Sequence, residues 1–186
     1  MLSIYHDLAE DVKTDLLGRP IYRRLPLSLA EKFLILLTFL VNVAHWVYLF
    51  AKTNHLPRFI PDDYADDDDD DVEEKFGKNW KIFLVPAAAA LVSIGISYIC
   101  KRPHELNYFV RITPLNAKHQ YRYVRTFLRF VDLLISIDLF CVSILMIYGV
   151  RHPEKAREFF PIVVLAPIIL IFLGMAVYYR CSKRKQ

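Results

Sequence analysis

The run FLRFVDLLISIDLFCVSILMIYGV, residues 127–150, decides the fold. It exceeds the roughly 18 to 20 apolar residues that a helix needs to cross the hydrocarbon of a bilayer. Yet it carries Asp132 toward one end and Asp138 near its middle. Three other stretches pass the same length test, at 33–50, 82–100 and 161–179. Aromatic residues mark several of their ends: Trp46, Tyr48, Trp80, Tyr98, Phe159, Phe160, Tyr178 and Tyr179. Rings with a polar edge favour the headgroup zone, so these ends lie where an aromatic belt belongs.

The composition agrees. Mean hydropathy is +0.26 although 24% of the residues are charged, because the charges stand in blocks between the apolar runs. A soluble domain would intersperse them. The expected fold is an all-α integral membrane protein of four transmembrane helices. The first thirty residues are polar and charged, unlike a cleavable signal peptide, so the first span should act as an uncleaved anchor.

Lysine and arginine set the orientation. The N-terminal segment 1–31 with Lys32, the connection 101–126 and the tail 180–186 hold fifteen basic residues; the connections after the first and third spans hold eight. The excess belongs inside, which places both termini in the cytoplasm of a bacterial plasma membrane. Cys100, Cys141 and Cys181 then lie within the membrane or on its reducing side, where free thiols are expected and a disulfide framework is not. They also lack the grouped spacing of a zinc site.

A small cytoplasmic cap is expected on that side. Ile4, Leu8, Val12 and Leu16 recur every four residues before Gly18 and Pro20, so Ser3–Leu17 reads as an amphipathic helix. Its polar face is mostly acidic, which suits docking on the basic connection better than an anionic lipid surface. In that connection Tyr108–Thr113 is rich in β-branched and aromatic residues and reads as a short strand, paired with Pro20–Arg23. Thr113 and Pro114 then open a helix that runs through Lys118, Arg122 and Arg125 into the third span.

The same connection carries a resemblance. Arg102-Pro103-His104-Glu105-Leu106-Asn107-Tyr108, then Ile112-Thr113, Asn116-Ala117 and Gln120-Tyr121-Arg122, resembles a bacterial membrane-domain family of unknown function. That family is related to the amino-terminal part of SdpI-type immunity proteins. Upstream, Leu56-Pro57, Ile60-Pro61, Gly77-Lys78 and Pro86 fall where the family has its own pattern. The likeness spans roughly residues 19 to 150. It departs at Asp63, where the family usually has histidine, and at the aspartate run, where the family has a glycine-containing turn. The resemblance implies a membrane fold and, by analogy, toxin immunity or signalling; it implies no reaction.

Four further features bear on chemistry or packing. The outer loop 53–80 contains Asp62, Asp63, Asp66, Asp67, Asp68, Asp69, Asp70, Asp71, Glu73 and Glu74. Carboxylates attract hard cations, but this spacing fails an EF-hand: Asp71 stands where glycine is required, and Gly77 where the closing glutamate belongs. A solvated, self-repelling, disordered loop is the better reading, with weak binding of a cation or a cationic peptide as the alternative; no metal site or cofactor is expected, and a cationic peptide or a membrane partner protein is the candidate partner. Within the spans, Asn42 and His45 lie at roughly the depth of Asp138, so a His45–Asp138 pair is geometrically open, either as a proton relay or as an interhelical hydrogen bond. In the second span, Ala89, Ser93 and Ser97 repeat beside Gly95 and should pack inside the bundle. Pro86, Pro161 and Pro167 should interrupt helical hydrogen bonding.

No phosphate-cradling glycine loop, serine elbow or His-Glu-x-x-His motif occurs in the chain. The basic connection lies against a membrane, so lipid headgroups are better company for it than nucleic acid. The expected function is non-enzymatic: immunity or sensing through a partner at the acidic loop. A small proton-coupled transporter using His45 and Asp138 is the alternative.

Overall fold

A computed structural model describes residues 14, 19–21, 25–53, 82–108, 110–149 and 152–183. The expected helix Ser3–Leu17, apart from Thr14, and the acidic loop from Asp62 to Glu74 lie outside the described residues. The described regular structure is helical: α1 (Leu29–Thr53), α2 (Leu84–Ile99), α3 (Ala117–Gly149) and α4 (Pro153–Lys183), with a 3-10 turn at Pro103–Glu105. Three of these, α1, α3 and α4, are long and apolar enough to cross a membrane.

Each helix starts for a local reason. Before α1, the Ser28 Oγ accepts the Glu31 N–H, and the Glu31 carboxylate accepts the Ser28 N–H at 2.7 Å. This is a reciprocal capping box that satisfies two orphan donors at once. In α2, Pro86 occupies the first turn, where its missing N–H removes no helical bond. The expected interruption there is absent because the helix begins only two residues earlier. α4 opens on Pro153 and runs on through Pro161 and Pro167 to Lys183. α3 begins where the Ala117 N–H reaches the Thr113 carbonyl, 2.9 Å away, and continues unbroken for 33 residues, as the sequence predicts.

The expected strand is corrected. No strand forms among the described residues, and Pro20 makes an isolated antiparallel bridge with Thr14. The reason is Asn116. Its Oδ1 accepts the Thr113 N–H and its Nδ2 donates to the Arg111 carbonyl, so the groups that a ladder would use are already taken. The chain around Pro20 is held by side-chain bonds to the connection and to α3. Arg19 donates to the Leu106 carbonyl, and the Tyr121 hydroxyl to the Pro20 carbonyl.

Contacts fix the arrangement of helices. α1 runs parallel to α3: Glu31 meets Arg125, Asn42 meets Ser136, and His45 meets Ser143. α2 and α4 run antiparallel to it, through Ser97–Arg129 and Ser93–Asp132 on one side and Gln120–Ser182 on the other. The start of α1 and the end of α4 therefore share one end of the bundle. At the opposite end Leu49, Ile82 and Ile147 form a small buried cluster with Tyr48 and Phe83 against it. α3 is the hub. It packs extensively on α1, α2 and α4, whereas α1 and α2 scarcely touch.

The outer surface is apolar. Phe39, Leu91, Ile94, Ile162 and Phe172 are all more than 60% exposed. Burying so little of so apolar a surface is the condition of a protein whose solvent is lipid. The chain is membrane-embedded, and its helices contact the bilayer.

Candidate functional site

The polar residues inside the bundle lie on one face of α3. Arg125, Arg129, Asp132, Ser136 and Ser143 recur at intervals of four, three, four and seven, which keeps them on one stripe of a helix. That stripe faces α1 and α2. From one end to the other it forms a chain of short polar contacts through an otherwise apolar bundle.

At the end shared by the start of α1 and the end of α4, Arg125 Nε lies 2.8 Å from Glu31 Oε1, with the two side chains 8% and 1% exposed. Their approach is that of an ion pair and not of a linear hydrogen bond. Arg125 Nη1 donates separately to the Leu25 carbonyl, which ties the strand of chain before α1 to α3. Two charges this deep depend on each other, because removing either leaves the other desolvated and unpaired.

One turn further in, Arg129 Nη1 donates to Ser97 Oγ at 2.7 Å and lies 3.6 Å from Asp132 Oδ2. The other Asp132 oxygen accepts the Ser93 hydroxyl at 2.6 Å. Asp132 is 2% exposed, so its charge is carried by these two partners. Ser93 and Ser97, expected as small packing residues, instead supply hydroxyls to the ionic pair. Gly95, beside them, faces open space.

Deeper still, Asn42 Nδ2 donates to Ser136 Oγ at 3.2 Å and back to its own helix at Thr38 O. His45 is fully buried, with Nε2 2.7 Å from Ser143 Oγ and its ring against Phe140. The open question of a His45–Asp138 pair is thereby answered in geometry. His45 Nε2 is engaged by Ser143, its Nδ1 has no hydrogen-bond partner, and neither does Asp138 Oδ1. The physical reason is helical phase: Asp138 is two residues on from Ser136, so it falls on another side of α3.

Because α1 and α2 diverge while both lean on α3, a cleft opens between them. Its inner part holds about 550 Å³, lined on α1 by Ile35, Thr38 and Trp46 and on α2 by Ala90, Ile94 and Ser97. Arg129 and Asp132 form its floor. A second hollow of about 700 Å³ adjoins it and shares Ile35, Ser97, Lys101 and Arg129. The far end is closed by an aromatic pile in which Phe83 stacks on Trp46 and meets Phe50. Two polar atoms of the lining have no partner, Thr38 Oγ1 and Asn42 Oδ1, and Thr38 is only 4% exposed.

The residues that carry the family resemblance take structural roles at the same end. Pro103 is buried and accepts the Tyr108 hydroxyl. Burial, with Tyr121 alongside, pushes the Tyr108 phenol well up, so it stays a neutral donor. His104 Nε2 is 3.8 Å from Glu105, Thr113 and Asn116 form the start of α3, and Gln120 is fully buried with Nε2 on the Ser182 carbonyl. Asn107 and Arg122 are exposed. The described residues contain no group of three or more metal-ligating side chains.

Sequence reasoning found Asn42, His45 and Asp132 but passed over Glu31, Arg125 and Arg129. Two signals were present: the Ser28-x-x-Glu31 capping pattern, and the recurrence of polar residues along one stripe of α3. Set beside models of protein families, curated proteins and solved structures, the chain matches none.

Proposed function

We propose that this protein is a non-enzymatic ligand-recognition protein of the bacterial plasma membrane, acting in sensing or immunity. In this reading all four helices cross the bilayer, with both termini and the connection 101–116 in the cytoplasm. The observation that carries it is the cleft between α1 and α2. It combines an apolar wall, an ionic floor and unpartnered polar atoms, and it lies within the roughly 300 to 1,000 Å³ typical of ligand sites. The likeness of the connection to SdpI-related domains supports immunity or signalling by analogy alone. The acidic loop, with its run from Asp66 to Asp71, supplies a second contact for a cationic peptide or membrane partner on the outer side.

The fourth crossing belongs to α2. Its 16 residues reach about 24 Å at 1.5 Å per residue, short of a hydrocarbon core of about 30 Å. Local thinning of the bilayer and the flanking Lys101 accommodate that shortfall.

One observation favours proton-coupled transport as the second reading: His45 Nδ1 and Asp138 Oδ1 are both buried without a partner. Proton flux into proteoliposomes separates the two. Recognition predicts no flux from the wild-type protein or from Asp138→Asn. Flux that disappears in Asp138→Asn would replace recognition with transport. Topology is tested by single cysteines in a background lacking Cys100, Cys141 and Cys181. Asp69→Cys should react with an impermeant maleimide in intact cells, and Lys185→Cys only after permeabilisation. Labelling of both from outside would remove the fourth crossing.

A further inference from the structure

The ionic residues around the cleft do not cancel. Glu31 is matched by Arg125 and Asp132 by Arg129. Lys101, which lines both hollows at the point where they join, forms no ion pair among the described residues, and it is exposed. The neighbouring Arg102 is engaged by Glu105 at 3.3 Å and by the Tyr98 ring. Among the described residues, one positive charge without an ion-pair partner therefore stands at the open end of the cleft. Behind it the wall is hydrocarbon and aromatic, from Ile35 and Ile94 to Trp46. Thr38, which also lines the cleft, is 4% exposed, and its Oγ1 is buried without a hydrogen-bond partner.

We infer that the cleft holds a membrane phospholipid with an anionic headgroup. Its phosphate lies at Lys101, and one acyl chain lies along α1 and α2 toward Trp46. Each part answers a feature of the site. A negative headgroup meets Lys101, which has no ion-pair partner among the described residues, and a short α2 lets the headgroup reach the cleft mouth from a locally thinned bilayer. An acyl chain fills an apolar slot that side chains leave empty. This inference rests on the cleft as the recognition site, and it names the chemistry of the ligand.

The test uses the full chain with Trp80→Phe, so that Trp46 is the one tryptophan left of two. Brominated phosphatidylglycerol and brominated phosphatidylcholine are titrated separately into the protein in detergent, and Trp46 quenching is read. Saturable quenching by the anionic lipid at about fivefold lower concentration is expected, the effect of one basic residue near a headgroup layer. Lys101→Gln, at an exposed position, should abolish that preference while leaving the quenching by phosphatidylcholine in place. Ala90→Phe, which fills the slot, should weaken both lipids. Equal quenching by the two lipids in the parent protein, or a preference that survives Lys101→Gln, overturns the inference. Relief of quenching by soluble glycerol phosphate would also overturn it, in favour of a free phosphate site. Proton flux measured on the same preparation keeps the two failures apart: flux dependent on Asp138 defeats the recognition reading, whereas absent preference without flux defeats the lipid alone.

Discussion

Toward α4, α3 offers Phe127 and Phe130; toward α1 and α2 it offers Arg125, Arg129, Asp132, Ser136 and Ser143. Both faces hold helices, but by different means. On the α4 side the Phe127 ring stacks on Tyr178 at 5.7 Å, and a Cβ at Gly174 would come within 3.2 Å of Phe127. Lipid tails are as apolar as these side chains, so no hydrophobic force drives the contact. Close approach at a small residue and van der Waals packing hold it. A groove of about 480 Å³ on this side is lined without a single charged residue. On the other side the helices are held apart and joined by hydrogen bonds and ion pairs, and the cleft between them is lined by Lys101, Arg129 and Asp132. Packing gives one face of α3 an apolar groove, and polarity lines the cleft on the other. In a bilayer the polar face is the one that can discriminate between ligands.

Breaking the ionic end of the open face should have the largest effect. Arg125→Met leaves the Glu31 carboxylate buried and unpaired, a change that costs about 3 to 5 kcal/mol. A thermal melt in detergent should show the loss, and the double variant with Glu31→Gln should recover most of it. If the single and double variants melt alike, the pair does not anchor this end of the bundle.

The packed face comes next. Gly174→Leu forces a side chain into Phe127 and Phe130, and overpacking of this kind costs about 1 to 3 kcal/mol. The same melt measures it, and Gly174→Ala should fall well below Gly174→Leu. An unchanged melt would mean that α4 is not held by close approach.

Single hydrogen bonds deeper in the polar face should matter less. Ser143→Ala removes the partner of His45, and Ser136→Ala that of Asn42; interhelical bonds of this type contribute about 0.6 kcal/mol each and rarely above about 1.7. Effects larger than that range would show the seam to be cooperative. Smallest of all should be Phe172→Leu on the lipid-facing side of α4, where the side chain is 66% exposed; a surface change of this kind stays within about 0.5 kcal/mol.

Hydropathy alone was enough to locate the helices, because in lipid every backbone polar group must be satisfied within its own segment. The runs at 33–50, 127–150 and 161–179 thus announce α1, α3 and α4, and the basic helical extension of α3 was legible from Thr113-Pro114 onward. The second apolar run announces α2 as well, though it proves shorter than the run itself. Local pattern misled at Tyr108–Thr113. Its β-branched and aromatic residues suggest a strand, but the Asn116 side chain claims the backbone groups that pairing would need. Intramembrane Asn42, His45 and Asp132 could be picked out singly, since a polar side chain in hydrocarbon always requires a partner. Which partner it finds depends on the rotation of each helix about its axis and on its neighbours. Hence His45 turned to Ser143 and not Asp138, Ser93 and Ser97 to an ion pair, and Glu31 to Arg125. The cleft is further still from the sequence: it exists because α1 and α2 both pack on α3 while scarcely touching each other, and no periodicity within one helix encodes the gap between two.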